Sequence, residues 1–281
     1  MALSNNPNKT RSIEKAWNSE INRKYKALNK FMLSLPLTSI TTNVDASQQA
    51  EIDAFMAKYE ERAIGIFLSA DWQNSYQTES YKRGIERADQ QLKSILTAKE
   101  RALLPSLGID AGALVTTAIH ANELSFLHAR ANKSLAKWID DLLFDTRSIL
   151  HEQMGIVSVS DIQGAITDRI NVTGNRSRTI AVTEISQASQ RSVLNETEAI
   201  NAQSDELVEV RWITVLDSRV RHLHSEWHGK IMSAEQGSRN VTISPFNCRC
   251  ALKPVIKDRT PARENAKFKA ERKLLLEKES K

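Results

Sequence analysis

Apolar residues in the first two thirds of the chain recur every three or four positions, which is the period of an amphipathic helix. The clearest stripe lies between Arg11 and Leu35, and its members are Ile13, Trp17, Ile21, Tyr25, Leu28 and Met32. A second stripe runs from Ile52 to Phe67, with Asp45 or Ser47 as a candidate N-cap. A third stripe predicts a helix over residues 71–96.

The apolar pattern continues at helical spacing from Asp110 to about His151. It predicts one long helix, or two helices joined near residues 131–134. Ile162, Ile166 and Ile170 predict a short helix that ends at Gly174 and Asn175, because glycine and asparagine often terminate helices. A further helix is expected over residues 178–202.

The period changes to two between Val208 and Leu216, which indicates a β-strand. Residues 240–244 and 251–256 are further strand candidates, and a helical pattern resumes after Pro261. We therefore predict a mainly α fold, with long N-terminal helices followed by a small α+β unit. That unit has a short antiparallel sheet and a terminal helix.

This pattern divides the chain into a helical region (1–174), an α+β unit (175–256) and a basic helical tail (257–281). The formal net charge is +5, and the tail holds nine Lys/Arg against five Asp/Glu. Such a tail is either a basic arm that touches DNA or an acidic partner, or a solvated terminal helix with mixed charges.

Composition argues against several classes of protein. The N-terminus lacks the basic start and apolar run of a signal peptide, and no apolar run approaches the ~20 residues that span a bilayer. Two cysteines cannot form a secreted disulfide framework, so we expect folding in a reducing cytoplasm and no membrane partner.

Reactive side chains concentrate between Trp212 and Pro254, which includes both cysteines and three of the six histidines: His222, His224 and His228. Thiolate and imidazole are the usual zinc ligands, so the zinc candidates are His224, Cys248 and Cys250. The C-x-C spacing, however, is shorter than that of most structural zinc sites. We also expect an extended C-x-C segment to point its two side chains to opposite faces, so that both reach one ion only if the backbone turns. The alternative is two buried thiols beside a packed histidine, and we predict no cofactor.

Two further interpretations concern polar residues of the same region. Asp217, His224 and Cys248 could in principle form a nucleophilic relay, although nothing in the spacing fixes their geometry. Asp217 could instead anchor arginines by bidentate hydrogen bonds, which would lock the sheet onto the preceding helix. The candidate members of this structural network are Glu184, Asp217, Arg219, Arg221, His224 and Arg249.

The order Asp217-Ser-Arg-Val-Arg, His224, Gly229, Asn247-Cys-Arg-Cys and Pro254 resembles the phage Mu F-like minor head proteins, also called phage head morphogenesis proteins. The motif residues that carry this resemblance or the network are Glu184, Trp212, Asp217, Arg219, Arg221, His224, Gly229, Cys248, Arg249 and Cys250.

Two segments further upstream extend the resemblance. Arg178-Thr-Ile-Ala-Val-Thr-Glu is similar to the Ile-Ala-Arg-Thr-Glu element of the family, and Tyr81-Lys-Arg-Gly to its helical Tyr-x-x-Gly segment. One departure is Pro245-Phe246, which stands where many members have a histidine shortly before Cys-Arg-Cys. The missing histidine removes a fourth ligand from the zinc candidates.

The resemblance implies a non-enzymatic minor capsid protein of a tailed phage or prophage, made in the host cytoplasm and present in the virion at the head or portal vertex. It would aid head assembly and DNA packaging or delivery. The implied partners are the portal protein, a major capsid or scaffolding protein, and packaged double-stranded DNA. Two alternatives are a DNA-binding assembly factor that acts through the basic tail and a nucleotide-using enzyme, although no glycine-rich phosphate loop is present.

Overall fold

The computed structural model describes residues 7, 9–37, 46–69, 72–102, 104, 109–154, 156–204, 207–217, 219–244 and 246–279. The helices within these ranges are α1 (Arg11–Ser34), α2 (Ala46–Phe67), α3 (Trp72–Ile95), α4 (Ala98–Ala102), α5 (Ala111–Leu114), α6 (Ala118–Gln153), α7 (Val159–Asn201), α8 (His222–Trp227), α9 (Ala234–Ile243) and α10 (Ala262–Glu279). The strands are β1 (Val208–Ile213), β2 (Ile231–Met232) and β3 (Ala251–Ile256). The predicted fold class is confirmed.

Contacts divide the chain into two compact units. The helical unit consists of Lys15–Asn74 and Ala129–Ala181. The sheet unit consists of Met1–Glu14, Ser75–His128 and Val182–Lys281. Each unit is therefore assembled from segments that are distant in sequence, and α7 contributes its first half to one unit and its second half to the other.

The core of the helical unit includes residues of the apolar stripes predicted for α1 and α2. Tyr25 on α1 is its aromatic centre, with its ring centroid 4.8 Å from that of Phe67 and 5.4 Å from that of Trp138. Offset and edge-to-face pairs of this kind add to the burial of their large apolar area. Every member of the α1 stripe is buried, as its spacing predicts.

The sheet unit is built around a three-stranded antiparallel sheet in the order β2-β1-β3. The register of β1 against β3 pairs Val208 with Ile256 and Ile213 with Ala251. The buried face packs on α7 and α9 through a cluster of Ala88, Val193, Leu194, Val210, Trp212, Ala234, Val241, Cys248, Cys250 and Leu252.

The second half of α7 is buried on nearly every side although much of it is polar. Its polar groups meet partners on α3. Ser80 donates to the carbonyl of Ile185 at 2.8 Å, and Asn195 Nδ2 donates to the hydroxyl of Tyr81 at 2.8 Å. These bonds offset the desolvation of polar groups in the core.

Gly84 lets α3 approach α7 closely. A Cβ at this position would lie 1.8 Å from Ser192 Oγ and 2.8 Å from the carbonyl oxygen of Ser189. A side chain here would therefore push the two helices apart, which gives the glycine of the Tyr-x-x-Gly segment a packing role.

Three local predictions were wrong or incomplete. Gly174 does not end a helix, because α7 runs through it, and a Cβ there would lie 3.6 Å from the Tyr25 ring. Residues 240–244 are not a strand but end α9, whose Ser233 cap accepts from Gln236 N. α6 runs unbroken through residues 131–134, with short α5 before it. The proposed cap Asp45 lies outside the described residues, and the side chain of Ser47 is not among those described.

Candidate functional site

The candidate site packs against the fully buried side chain of Trp212, near the end of β1. The indole of Trp212 has its ring centroid 4.9 Å from that of Trp227 and 5.7 Å from the imidazole of His224. Gly229 donates its backbone N–H to the carbonyl of Trp212 at 2.7 Å, with φ +75°. A Cβ at Gly229 would lie 2.3 Å from Phe268 Cβ, so both the backbone and the space require glycine.

His224, Cys248 and Cys250 come together in the interior of the sheet unit. His224 Nδ1 lies 3.2 Å from Cys250 Sγ and 3.7 Å from Cys248 Sγ. All three ligand atoms lie within 4.8 Å of one another, and the side chains are 1–4% exposed. His224 Nε2 is buried without a hydrogen-bond partner among the described residues. The structure thus groups the three zinc candidates.

The two neighbouring thiols shift the pKa of each other in opposite directions. A hydrogen bond from Cys250, together with His224, holds the pKa of Cys248 below its ordinary value. Burial, and then the neighbouring Cys248, raises the pKa of Cys250 well above its ordinary value. The pair therefore releases its first proton more readily, and its second less readily, than an isolated cysteine.

The backbone before β3 explains how both cysteines face the same point. Asn247 has φ +61°, in the left-handed region that asparagine tolerates, and its N–H donates to Thr183 Oγ1 on α7 at 2.9 Å. After this turn the chain extends towards β3, and residues i and i+2 of an extended chain lie on one face. Gln190 Nε2 then donates to the carbonyl of Cys250 at 2.6 Å and approaches Cys248 Sγ at 3.8 Å.

Asp217 forms the polar anchor of the same region. Arg249 binds it with two parallel bonds, Nη1 to Oδ2 at 2.6 Å and Nη2 to Oδ1 at 2.8 Å. The backbone N–H of Arg219 also donates to Oδ1 at 3.0 Å, and its Nη2 lies 3.2 Å from Oδ2. The pKa of the Asp217 carboxyl lies well below its usual value, mainly because the Arg249 guanidinium binds the carboxylate.

Arg221 and Glu184, two members of the candidate network, form hydrogen bonds outside the Asp217–Arg249 pair. Arg221 Nη2 donates to the carbonyl of Phe246 at 2.7 Å, which ties the start of α8 to the segment before the cysteines. Glu184 is buried on α7 and accepts from Gln77 Nε2 at 3.2 Å. Pro245, part of the departure from the family pattern, lies outside the described residues. Phe246 is largely exposed.

The nucleophilic relay has no support in this arrangement. The carboxylate of Asp217 is engaged by Arg249 and Arg219, while His224 Nδ1 faces both sulfurs. The thiol of Cys248 is 1% exposed, whereas a reactive cysteine needs access to its substrate.

The sequence did not reveal a second buried polar group, formed by Arg211 and His228 with α10. His228 Nδ1 accepts from the backbone N–H of Thr214 at 3.1 Å, and its Nε2 lies 3.1 Å from Glu271 Oε2. The pKa of His228 is lowered, mainly because the imidazole is buried. Arg211 lies over the ring of Phe268, 4.5 Å from its centroid. The sequence did not predict this contact, because the mixed charges of α10 indicate a helix that is exposed to solvent.

His222 is the third histidine of the region and lies apart from the cluster. It is exposed at the start of α8, where its Nε2 is 3.3 Å from Glu226 Oε1. None of the helices in the described part of the chain combines the length and apolar character needed to cross a bilayer.

Comparison with known proteins identifies a similar protein family. A family model described as Phage Mu protein F like protein matches residues 154–253, from the end of α6 to β3. No curated protein and no solved structure matches the chain. The matched segment includes Asp217, His224, Gly229 and both cysteines of the site. Over residues 154–253 the chain is therefore similar to the phage Mu protein F-like family, in agreement with the resemblance that its motifs carry.

Proposed function

We propose that this protein is a non-enzymatic minor head protein that acts at the portal vertex or head interior of a tailed phage or prophage, and that it aids head assembly and DNA packaging or delivery. The observation that carries the proposal is the family match over residues 154–253, which includes the site-bearing part of the sheet unit. The buried state of both cysteines favours a structural role, because neither thiol is accessible to a substrate.

Association with the portal is the decisive test. The chain should be produced together with the portal protein of the same phage, and separately with its major capsid protein, and each mixture analysed by affinity capture and sedimentation. We expect capture of portal and co-sedimentation with procapsids. If the protein is absent from procapsids and virions and never binds portal, the proposal is wrong.

The basic surface of α10 supports packaged double-stranded DNA as a further partner. The helix packs through a stripe of Glu264, Phe268, Glu271 and Leu275, and its exposed cations include Arg263, Lys267, Lys269 and Lys273. Such cations can neutralise phosphates, and each one so engaged adds roughly 0.9 to the slope of log affinity against log salt.

A pair of charge reversals tests the DNA contact. In Lys269→Glu/Lys273→Glu we expect weaker binding to double-stranded DNA and a salt slope smaller by about 2. The matched control is Lys15→Glu/Lys26→Glu on exposed positions of α1, which changes the net charge equally. An equal loss in both variants would show a general charge effect and would remove α10 as the contact.

A further inference from the structure

We propose that His224, Cys248 and Cys250 bind one Zn²⁺ ion, with water as the fourth ligand. The site goes beyond the proposed role in the phage head and does not depend on it. Its basis is the convergence of three ligand atoms, His224 Nδ1 and the two sulfurs, from α8 and from the segment that leads into β3.

The distances between the three ligand atoms are close to those of a zinc site. Tetrahedral zinc with bonds of about 2.3 Å to sulfur and about 2.0–2.1 Å to nitrogen separates N from S by roughly 3.6 Å and S from S by roughly 3.8 Å. The observed N–S distances are 3.2 and 3.7 Å, and all three atoms lie within 4.8 Å of one another. The observed N–S distances therefore lie within about 0.4 Å of the value for tetrahedral zinc.

The charges also suit a divalent, sulfur-preferring ion. Two thiolates neutralise Zn²⁺, so the occupied site carries no net charge in a region where an unpaired charge would be costly. Two sulfurs and an imidazole favour zinc over magnesium or calcium, which prefer oxygen. Gln190 Nε2, hydrogen-bonded to the carbonyl of Cys250 and 3.8 Å from Cys248 Sγ, supports the ligands from α7.

The fourth position opens into a cavity. A space of about 20 Å³ is lined by His224 and both cysteines, by the three arginines Arg219, Arg221 and Arg249, and by Val215, Val220 and Asn247. This volume holds about one water molecule. Within the described ranges, the ligand cluster contains no fourth His, Cys, Asp or Glu. A three-ligand site with an open position for water follows from this geometry.

Bound zinc would clamp α8 to the start of β3. Because the ligands come from positions 24 and 26 residues apart, the ion closes a loop that contains β2 and α9. Metal binding then stabilises the sheet unit, since the unfolded chain does not hold the ligands together.

Metal content and spectroscopy of the full chain test this site. The protein is purified from zinc-supplemented cells under reducing conditions, and zinc is quantified by elemental analysis after dialysis. We expect about one equivalent per chain, as for a single site. Metal-free protein titrated with Co²⁺ should develop thiolate-to-cobalt charge-transfer absorption and tetrahedral visible bands that saturate at one equivalent.

Three variants separate this site from adventitious binding. Cys248→Ser and Cys250→Ser should lose the zinc and the thiolate–cobalt absorption, whereas His222→Gln, at an exposed histidine two residues from the ligand His224, should keep both. The wild-type result decides the matter even if a serine variant does not fold. Folded wild-type protein with far less than one equivalent of zinc and no thiolate–cobalt absorption overturns the proposal, as does full zinc retention by either serine variant.

Discussion

The Asp217–Arg249 pair gives the sharpest test of how the site is held together. We consider Asp217→Asn, which preserves the shape of the side chain and removes its charge. The substitution places an amide N–H₂ opposite one nitrogen of Arg249 and so breaks one of the two parallel bonds, at 2.6 or 2.8 Å. Its remaining oxygen can still accept from the backbone N–H of Arg219.

The magnitude follows from the exposure of the pair. Hydrogen bonds to charged groups contribute about 1.5–3 kcal/mol, and exposed ion pairs about 0–1 kcal/mol. The side chains of Asp217 and Arg249 are 25% and 26% exposed, so solvent screens them in part. We therefore expect a loss of about 2 kcal/mol, which lowers the thermal midpoint by roughly 4–8 °C in a chain of this size.

The assay is thermal and denaturant unfolding followed by far-ultraviolet circular dichroism. The matched control is Glu235→Gln, which removes the exposed ion pair of α9 with Arg239 and should change stability by less than about 0.5 kcal/mol. A double-mutant cycle of Asp217→Asn with Arg249→Met should give a coupling energy of about 1–2 kcal/mol. Equal effects of Asp217→Asn and Glu235→Gln, or strictly additive losses, would refute the reasoning.

The same pair predicts a pH dependence. Because the folded pKa of Asp217 is depressed, its stabilising contribution is complete above the unfolded pKa of about 3.9 and is lost as pH falls through the folded value. The difference in stability between wild type and Asp217→Asn should therefore be constant from neutral pH to about pH 5 and shrink below about pH 4.

Two further substitutions probe neighbouring contacts. Gly229→Ala should cost roughly 2–4 kcal/mol in the free energy of unfolding, because φ +75° strains an alanine and its Cβ meets Phe268; a chemical denaturation midpoint equal to that of wild type would contradict this. Arg221→Ala should cost about 1 kcal/mol or less, since its bond to the carbonyl of Phe246 is exposed; calorimetry should show a small fall in midpoint, and no fall would mean that the bond contributes nothing.

Helical periodicity predicted the fold where burial follows one stripe. The α1 residues Ile13 to Met32 occupy the positions that their spacing indicates. Prediction failed where tertiary contacts outweigh local preference. Gly174 stays helical because its position on α7 packs against Tyr25, and residues 240–244 continue a helix that Ser233 caps. Neither contact is visible in a window of neighbouring residues.

The sequence predicted which residues belong to the candidate site, but it did not predict how they are placed relative to one another. Family motifs pointed to Asp217, His224 and the two cysteines, and the structure brings Arg249 onto Asp217. The expectation that C-x-C points its two thiols to opposite faces was wrong, because residues i and i+2 of an extended chain lie on one face, and both sulfurs lie beside His224 Nδ1. Gln190 could not be found from sequence, because a glutamine on a buried helix has no distinctive spacing.

Because the second half of α7 is both polar and buried, the segment that the family model matches is not the same as a segment that can fold alone. The family match ends within β3 and begins at the end of α6, so a fragment limited to residues 154–253 lacks α3 and α10. Such a fragment would expose Asn195 and the carbonyl of Ile185 without their partners Tyr81 and Ser80. A toxin, tag or reporter fused to residues 154–253 alone would therefore be joined to a segment that does not fold stably. A fusion to the folded unit must include α3.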